Sequence, residues 1–197
     1  MQNVMQYCGN ITENKEMTCI VAYKDENKDI IYLAGDKCGS NGYTKDICVE
    51  PKVFQNGNFY IGYMTSFYMG QLLKHAWFPP EKLQSQTDDN YLHVTIKNSI
   101  AKLFRENNFG KHEGGYELGT FILIYKGRIF TVYEDLQFFE NKNIATCGCG
   151  EVAARAAIMM QLENGEIVDS MFDKLFYIVS QIHVGVSKEY DLLEIDL

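Results

Sequence analysis

The sequence predicts an α+β protein of four layers, in which two antiparallel sheets pack face to face and a pair of helices covers the outer side of each sheet. Strand-like and helix-like apolar patterns come in groups along the chain: four strands, two helices, three strands, two helices and one strand. Grouped strands joined by short polar turns favour antiparallel sheets over a βαβ succession. Each helix has an apolar stripe that a sheet beneath it would bury. The 197 residues are enough for one domain with a sizeable core.

Four strands come first, and turn-forming residues separate them. A polar run at residues 24–29 joins the first two strands into a hairpin, and an Asn-Gly turn at residues 56–58 joins the other two. A polar, glycine-containing loop is predicted at residues 35–46, between the two hairpins. The four predicted strands cover residues 18–23, 30–34, 53–54 and 59–63.

Two helices follow, each with a capping signal at its start. Ser66 can cap the first helix, which Pro79-Pro80 stops, and Asp88 or Asp89 can cap the second, which ends near residues 108–110. Helical spacing then selects the residues that face the core. They are Met69, Leu72, Leu73 and Ala76 in the first helix, and Leu92, Ile96, Ile100 and Leu103 in the second.

Strands return after a polar, glycine-rich loop at residues 110–117. Lys126-Gly127 is the turn of a hairpin, and a short apolar strand runs into Gly148-Cys149-Gly150. The predicted strands cover residues 118–125, 128–133 and 144–147, and the last strand of the chain covers residues 190–195.

Two further helices are predicted between the third of these strands and the last one. The first runs over residues 151–164 with Gly165 as its end, and the second runs over residues 166–183. Spacing predicts the core-facing residues of both. They are Val152, Ala156 and Met160 in the first, and Met171, Leu175, Ile178, Val179 and Ile182 in the second.

Composition excludes several classes of partner. The net charge is −8 and no run of Lys or Arg exceeds two residues, which argues against a nucleic-acid partner. No apolar run approaches the roughly 18–20 residues of a membrane span, and no basic start followed by an apolar segment indicates secretion. We therefore expect a cytoplasmic protein with neither a nucleic-acid nor a membrane partner.

The cysteines and histidines do not indicate a metal. The six cysteines lack CxxC spacing and are expected to stay reduced in the cytosol. Cys147 and Cys149 have no matching second pair, and the four histidines show no ligand spacing. No metal and no cofactor are predicted.

Thr18 opens the first predicted strand, and two charged residues further along the chain could make it reactive. A threonine hydroxyl is a poor nucleophile unless a base lies beside it, and the free α-amine of an N-terminal threonine is such a base, with a pKa of about 7.7–8.0. Asp36 comes 18 residues later and Lys52 comes 34 residues later. These two could hold that amine neutral and oriented, so the three residues form a candidate catalytic site, provided that residues 1–17 are removed.

Each candidate also has a purely structural interpretation. Thr18 can be an ordinary β-branched strand residue, Asp36 an acid in a turn, and Lys52 a solvated lysine at a strand edge. Cys149 can be a small buried residue near the start of a helix.

Several segments together resemble the proteasome β subunits, and more closely the bacterial proteasome-like peptidase that works with an unfoldase ATPase, together with its short phage-encoded relatives. All of these are N-terminal nucleophile (Ntn) hydrolases. The resemblance spans residue 17 to about residue 195. It implies a four-layer αββα sandwich, a threonine-type endopeptidase acting on unfolded polypeptide, a homo-oligomeric ring and an ATPase unfoldase partner. The matching segments are Met17-Thr18-Cys19-Ile20-Val21-Ala22, Ala34-Gly35-Asp36, Pro51-Lys52-Val53, Ile61-Gly62-Tyr63 and Cys147-Gly148-Cys149-Gly150-Glu151-Val152-Ala153-Ala154.

The resemblance implies a role for each matching position. Thr18 would be the nucleophile and, once N-terminal, its own base, with Asp36 and Lys52 as the buried charged pair beside it. Lys52 would lower the proton affinity of the amine and of the hydroxyl. The backbone N–H near Thr65 would help to hold the oxyanion. Cys149 stands at the position from which the family supports the terminal amine.

The sequence departs from the family pattern at three places. Thr65 stands where relatives usually have Gly, and Cys149 replaces the usual Ser, whose hydroxyl is a stronger hydrogen-bonding group than a thiol. Where many active β subunits have an Asp and a Ser before the last strand, the nearest residues here are His183 and Val186.

Residues 1–17 are predicted to be a leader or a mis-assigned start, and residues 18–197 the single domain. Thr18 could be freed by self-cleavage of the Met17–Thr18 bond, or by ordinary methionine removal if translation starts at Met17. Two other functions stay open: an inactive, unprocessed assembly subunit, and a small-molecule amidase. The amidase has little support, because residues 10–16 after Cys8-Gly9 do not continue as a strand.

Overall fold

Two antiparallel sheets form the centre of the protein. The computed structural model describes residues 17–40, 44–64, 66–111, 117–165 and 168–197. The first sheet contains β1 (Cys19–Asp25), β2 (Ile30–Asp36), β10 (Ile144–Gly148) and β11 (Tyr190–Asp196). The second contains β5 (Val53–Asn56), β6 (Phe59–Tyr63), β7 (Phe121–Tyr125), β8 (Arg128–Val132) and β9 (Phe138–Asn141). In the first sheet the strands lie in the order β10, β1, β2, β11, and in the second in the order β5, β6, β7, β8, β9.

Three strands of the structure were not predicted from the sequence. Two of them lie between β2 and β5, and the third is β9 in the five-stranded sheet. A short antiparallel ribbon of β3 (Cys38–Ser40) and β4 (Lys45–Ile47) occupies part of the segment predicted as a loop. It lacks an apolar pattern because it lies outside both large sheets. The strand β9 was missed because two of its four residues are exposed, which leaves little periodic signal.

Five α-helices complete the described part of the chain. They are α1 (Phe67–Gln71), α2 (Asp88–Asn90), α3 (Lys97–Glu106), α4 (Glu151–Glu163) and α5 (Val168–Ile182). A π-helical turn, Leu72–Ala76, continues α1, and another, Tyr91–Ile96, joins α2 to α3. Among these residues, no helix has the length and apolarity that crossing a membrane requires.

The starts of the first two helices follow the capping rule. The Ser66 hydroxyl accepts hydrogen bonds from the backbone N–H groups of Tyr68 and Met69, as predicted for an N-cap. The cap of α2 was wrongly predicted as Asp88 or Asp89. Thr87 is the N-cap, and its hydroxyl accepts the N–H of Asn90 at 3.1 Å. The two acids instead occupy the first turn, where carboxylates stabilise the positive end of a helix.

Three apolar clusters hold the four layers together. One lies between the helices α1–α3 and the five-stranded sheet, a second lies between the two sheets, and a third lies between the four-stranded sheet and the helices α4 and α5. The predicted core stripe of the α2–α3 segment is buried at all four positions. The predicted αββα sandwich is therefore confirmed.

The predicted core face of α4 is wrong. Val152 and Met160 are 75% and 56% exposed, whereas Ala154 and Ile158 are buried against the four-stranded sheet. This helix is apolar on nearly every side, so spacing alone could not select the buried face. In α5 three of the five predicted residues are fully buried, but Ile178 is half-buried and Ile182 is 61% exposed, and Phe172 and Phe176 complete the core instead.

Candidate active site

Three polar side chains that are far apart in sequence meet at one end of the first sheet. Thr18 directly precedes β1, Asp36 is the last residue of β2, and Lys52 directly precedes β5 of the facing sheet. Because β1 and β2 are antiparallel, the start of one lies beside the end of the other. All three residues are buried, with 3% or less of their surface exposed.

Lys52 is the centre of the cluster. Its Nζ donates hydrogen bonds to Thr18 Oγ1 at 2.9 Å, to Asp36 Oδ1 at 3.0 Å and to the backbone carbonyl of Cys38 at 2.7 Å. An ammonium group has three N–H donors, so all of them are used. The side chain therefore has a single orientation, with its charge directed at the threonine hydroxyl.

The carboxylate of Asp36 is also held by several hydrogen bonds. In addition to Lys52, its carboxylate accepts the backbone N–H groups of Cys19, Cys38 and Ser187 at 2.8, 2.8 and 3.2 Å. A buried ion pair is stable only when further hydrogen bonds satisfy its remaining donors and acceptors, which is the case here. The pair therefore presents a fixed positive charge to Thr18 Oγ1, where it would stabilise a developing alkoxide.

The backbone of Thr18 is fixed by the last residue of β10 and the two residues that follow it. Its carbonyl accepts the Cys149 thiol at 3.5 Å and lies 3.5 Å from the backbone N–H of Gly150. At Gly148 the φ angle is +98°, and an added Cβ would lie 2.1 Å from the Thr18 carbonyl oxygen. Only glycine permits these two segments of the backbone to come so close together.

Cys149 contacts the candidate nucleophile without being one itself. Burial raises the pKa of the Cys149 thiol, although the hydrogen bond to the Thr18 backbone opposes this shift. A protonated thiol is a weak donor and a poor nucleophile. The contact that Cys149 makes is with the carbonyl of Thr18, so it supports the threonine backbone. Its predicted support of the terminal amine stays a prediction.

The peptide bond before Thr18 lies within reach of the threonine hydroxyl. Thr18 Oγ1 donates a hydrogen bond to the Met17 carbonyl oxygen at 2.6 Å. The same hydroxyl accepts the bond from Lys52. The group that would have to attack the Met17–Thr18 bond therefore already lies next to its carbonyl.

Sequence reasoning missed the contribution of the loop before β11. His183 and Val186 were the residues nearest to the family positions, but the loop reaches the site through Ser187, whose N–H binds Asp36. The Ser187 hydroxyl also accepts the N–H of Lys37 and donates to the Glu189 carbonyl. A serine next to the loosely matching residues was the only signal in the sequence.

Two predicted features lie at positions that the structure does not describe. Thr65, predicted for the oxyanion, and residues 1–16 of the predicted leader lie outside the described residues. Within the described ranges no group of three His, Cys, Asp or Glu residues could hold a metal ion.

The fold matches solved structures over nearly the whole chain. BPH from Thiobacillus denitrificans, solved in complex with epoxomicin, matches with a TM-score of 0.74 and 13% identity, covering 91% of this chain and 99% of that one. HslV from Trypanosoma brucei matches with a TM-score of 0.65 and 15% identity, covering 91% and 100%. Anbu from Hyphomicrobium sp. strain MC1 matches with a TM-score of 0.63 and 13% identity, covering 91% and 82%.

These three proteins are proteasome-type Ntn hydrolases. The chain has the proteasome-type Ntn-hydrolase fold. No protein-family model matches the sequence, and no curated protein matches it. At 13–15% identity the structural matches show the fold alone.

Proposed function

We propose that this chain is a proteasome-like threonine-type peptidase that hydrolyses unfolded polypeptide, with Thr18 as its nucleophile after the removal of residues 1–17. One contact supports this proposal above all others. The hydroxyl of a buried threonine, at the start of a strand in a proteasome-type Ntn-hydrolase fold, accepts a 2.9 Å hydrogen bond from a buried lysine that is itself paired with Asp36.

The chemistry depends on the groups in contact. Once Thr18 is N-terminal, its amine accepts the hydroxyl proton while Oγ1 attacks the peptide carbonyl carbon. The carbon–nitrogen bond of the substrate then breaks, its nitrogen takes the proton from the Thr18 ammonium, and an ester on Oγ1 remains. Water then adds to the ester, the bond between the acyl carbon and Oγ1 breaks, and the acyl part leaves as a carboxylic acid while the hydroxyl is restored. Lys52 stabilises the negative charge on Oγ1, and Asp36 keeps Lys52 oriented.

The geometry favours self-cleavage as the way in which Thr18 becomes N-terminal. The hydroxyl is hydrogen-bonded both to the carbonyl before it and to Lys52. Oγ1 attacks the Met17 carbonyl carbon, the hydroxyl proton passes to the Thr18 nitrogen, and the Met17–Thr18 bond breaks. The acyl group is thereby transferred to Oγ1 as an ester. Water then releases the leader as a carboxylic acid and leaves a free amine on Thr18.

An oligomeric assembly is part of the proposal. The outer side of α4 exposes Val152, Met159 and Met160 by 51–75%. An apolar surface on an outer helix is typical of a contact between subunits. Anbu from Pseudomonas aeruginosa was solved as a helical assembly. We propose a homo-oligomeric ring for this chain, and an ATPase unfoldase as its partner on the strength of the sequence resemblance.

Removal of the nucleophile tests the activity. Thr18→Ala should abolish the hydrolysis of fluorogenic peptides by a chain produced with residue 18 as its first residue. The matched control is Thr146→Ala, which removes a buried hydroxyl from the neighbouring strand β10. Epoxomicin should inhibit the parent and the control. Peptide hydrolysis that persists in Thr18→Ala, or is lost equally in the control, would refute the role of Thr18.

A further inference from the structure

We infer, on the basis of the proposed function, that Gly185 is a positioning residue for the self-cleavage step, because it sets where the Met17 carbonyl lies relative to the Thr18 hydroxyl. Gly185 is buried in the loop between α5 and β11, and its Cα faces Met17. A Cβ at this position would lie 2.6 Å from Met17 Cβ, 2.8 Å from Cγ and 3.0 Å from Cα. Carbon atoms that are not bonded attract each other best at about 3.5–4.0 Å, so these contacts exclude any side chain.

The backbone conformation at residue 185 does not require a glycine. The φ angle of Gly185 lies outside the left-handed region, unlike that of Gly148. Alanine can therefore adopt the same conformation without strain. What excludes a side chain at residue 185 is the proximity of Met17, so Gly185→Ala is a steric probe of this one contact.

Hydrogen bonds hold the loop that contains Gly185 in place, so it cannot easily shift away from Met17. The N–H of Val186 binds the His183 carbonyl at 3.1 Å, and the Val186 carbonyl accepts Lys45 Nζ at 2.6 Å. The N–H of Ser187 binds the carboxylate of Asp36. Movement of the loop would break these bonds, including one to the charged pair that holds Thr18 Oγ1.

Thr18 is held in place by its own contacts, so it cannot follow a displacement of Met17. Its carbonyl is fixed by Cys149 and the close approach of Gly148, and its hydroxyl is fixed by Lys52. A side chain at residue 185 would therefore push Met17 while Thr18 stays. The atoms crowded at Met17 are Cβ, Cγ and Cα, which lie at or next to the backbone rather than at the mobile end of the side chain. The carbonyl carbon is bonded to that Cα, so it would shift away from the oxygen that attacks it.

The reaction affected is one acyl transfer. The Met17 carbonyl carbon forms a bond to Thr18 Oγ1, its bond to the Thr18 nitrogen breaks, and the hydroxyl proton moves to that nitrogen. Water then hydrolyses the ester. A misplacement of about 1 Å of reacting atoms can cost about a hundredfold in rate. Gly185→Ala should therefore slow self-cleavage by about tenfold or more.

The experiment measures the intact mass of the purified full chain over time and so its conversion into the fragment that begins at Thr18. The Thr18→Ala chain is the non-cleaving blank. Val184→Ala, in the same loop but with a side chain 84% exposed, is the matched control and should convert at the wild-type rate. In Gly185→Ala, the further change Met17→Gly removes the Cβ and Cγ that clash. It should restore conversion to within about threefold of Met17→Gly alone, since contacting residues couple.

A rescue of this kind distinguishes positioning from general damage, which the removal of the Met17 side chain would not repair. Conversion of Gly185→Ala at the wild-type rate, failure of Met17→Gly to restore it, or no conversion of the wild-type chain would each overturn the inference. Failure of the proposed function is seen separately. A wild-type chain produced with Thr18 first and inactive on peptides would refute the peptidase, whereas the mass measurement would still decide the role of Gly185.

Discussion

Replacing Lys52 by methionine tests the central contact of the site, because methionine has a similar length and carries no charge. The change removes three hydrogen bonds, to Thr18 Oγ1, Asp36 Oδ1 and the Cys38 carbonyl. Bonds to a charged group contribute about 1.5–3 kcal/mol each, which would sum to roughly 4.5–9 kcal/mol. Release of the ammonium group from its desolvation cost offsets part of this, and breaking a buried ion pair typically costs about 3–5 kcal/mol.

We therefore expect Lys52→Met to lower the free energy of unfolding by about 3–5 kcal/mol. For a chain of this size that corresponds to a fall in Tm of about 6–20 °C. Urea unfolding monitored by circular dichroism measures the free energy, and calorimetry measures Tm. Peptide hydrolysis by a chain that begins at Thr18 should be lost at a temperature where the variant is still folded.

The double variant Lys52→Met/Asp36→Asn gives the control. Asp36 keeps its three backbone N–H donors when the Lys52 ammonium group is removed. The destabilisation that remains at Asp36 is therefore that of a buried charge without an opposite charge beside it. Neutralising it should make the double variant more stable than the sum of the two single changes by about 0.5–3 kcal/mol. A Lys52→Met chain within about 1 kcal/mol of wild type, or strict additivity, would show that the ammonium group is not a buried partner of Asp36.

The remaining predictions concern α4 and Cys149. Met160→Lys should convert the assembled protein into single chains in analytical ultracentrifugation while leaving the stability of the chain within about 0.5 kcal/mol. Ile158→Ala, on the buried side of the same helix, should instead cost about 2–5 kcal/mol of stability; unchanged sedimentation of Met160→Lys would contradict the proposed interface. Because burial raises the pKa of Cys149, its thiolate fraction at neutral pH is below that of a free cysteine. Alkylation by iodoacetamide should be slow at pH 7 and accelerate above pH 9; a rate at pH 7 equal to that of free cysteine would refute this.

The layer order and the positions of most helices and strands were predictable because local patterns of apolar, turn-forming and capping residues indicate them. The hairpins around residues 24–29 and 126–127 follow from polar turns between apolar runs, and the Ser66 cap follows from one side chain beside free N–H groups. The ribbon β3–β4 and the strand β9 were missed because exposed or short strands have almost no periodic signal. The wrong face of α4 has the opposite cause, since a helix that is apolar all round supplies several equivalent stripes.

The candidate site was predictable only in part. The order Thr18, Asp36, Lys52 stood out because a hydroxyl, a carboxylate and an ammonium group come one after another near strand ends, and the structure brings these side chains into contact. Their catalytic roles, and that of Cys149, stay predictions. The partners that hold them are backbone groups of Cys19, Cys38 and Ser187. Every residue except proline has the same N–H group, so no residue type indicates which ones will serve.

The sequence by itself determined the chemistry available to this protein: one hydroxyl at the head of a strand, one carboxylate at the end of the next, and one ammonium group before a third. Tertiary structure alone decided that Lys52 of one sheet reaches Thr18 of the other, that Gly148 and Gly185 lie against the two residues flanking the candidate cleavage site, and that the outer face of α4 stays uncovered. The physical reason is that spacing along the chain records only which side of its own element a residue occupies. Distances between elements depend on how side-chain volumes fill the space between layers, and that is a property of the whole packed molecule.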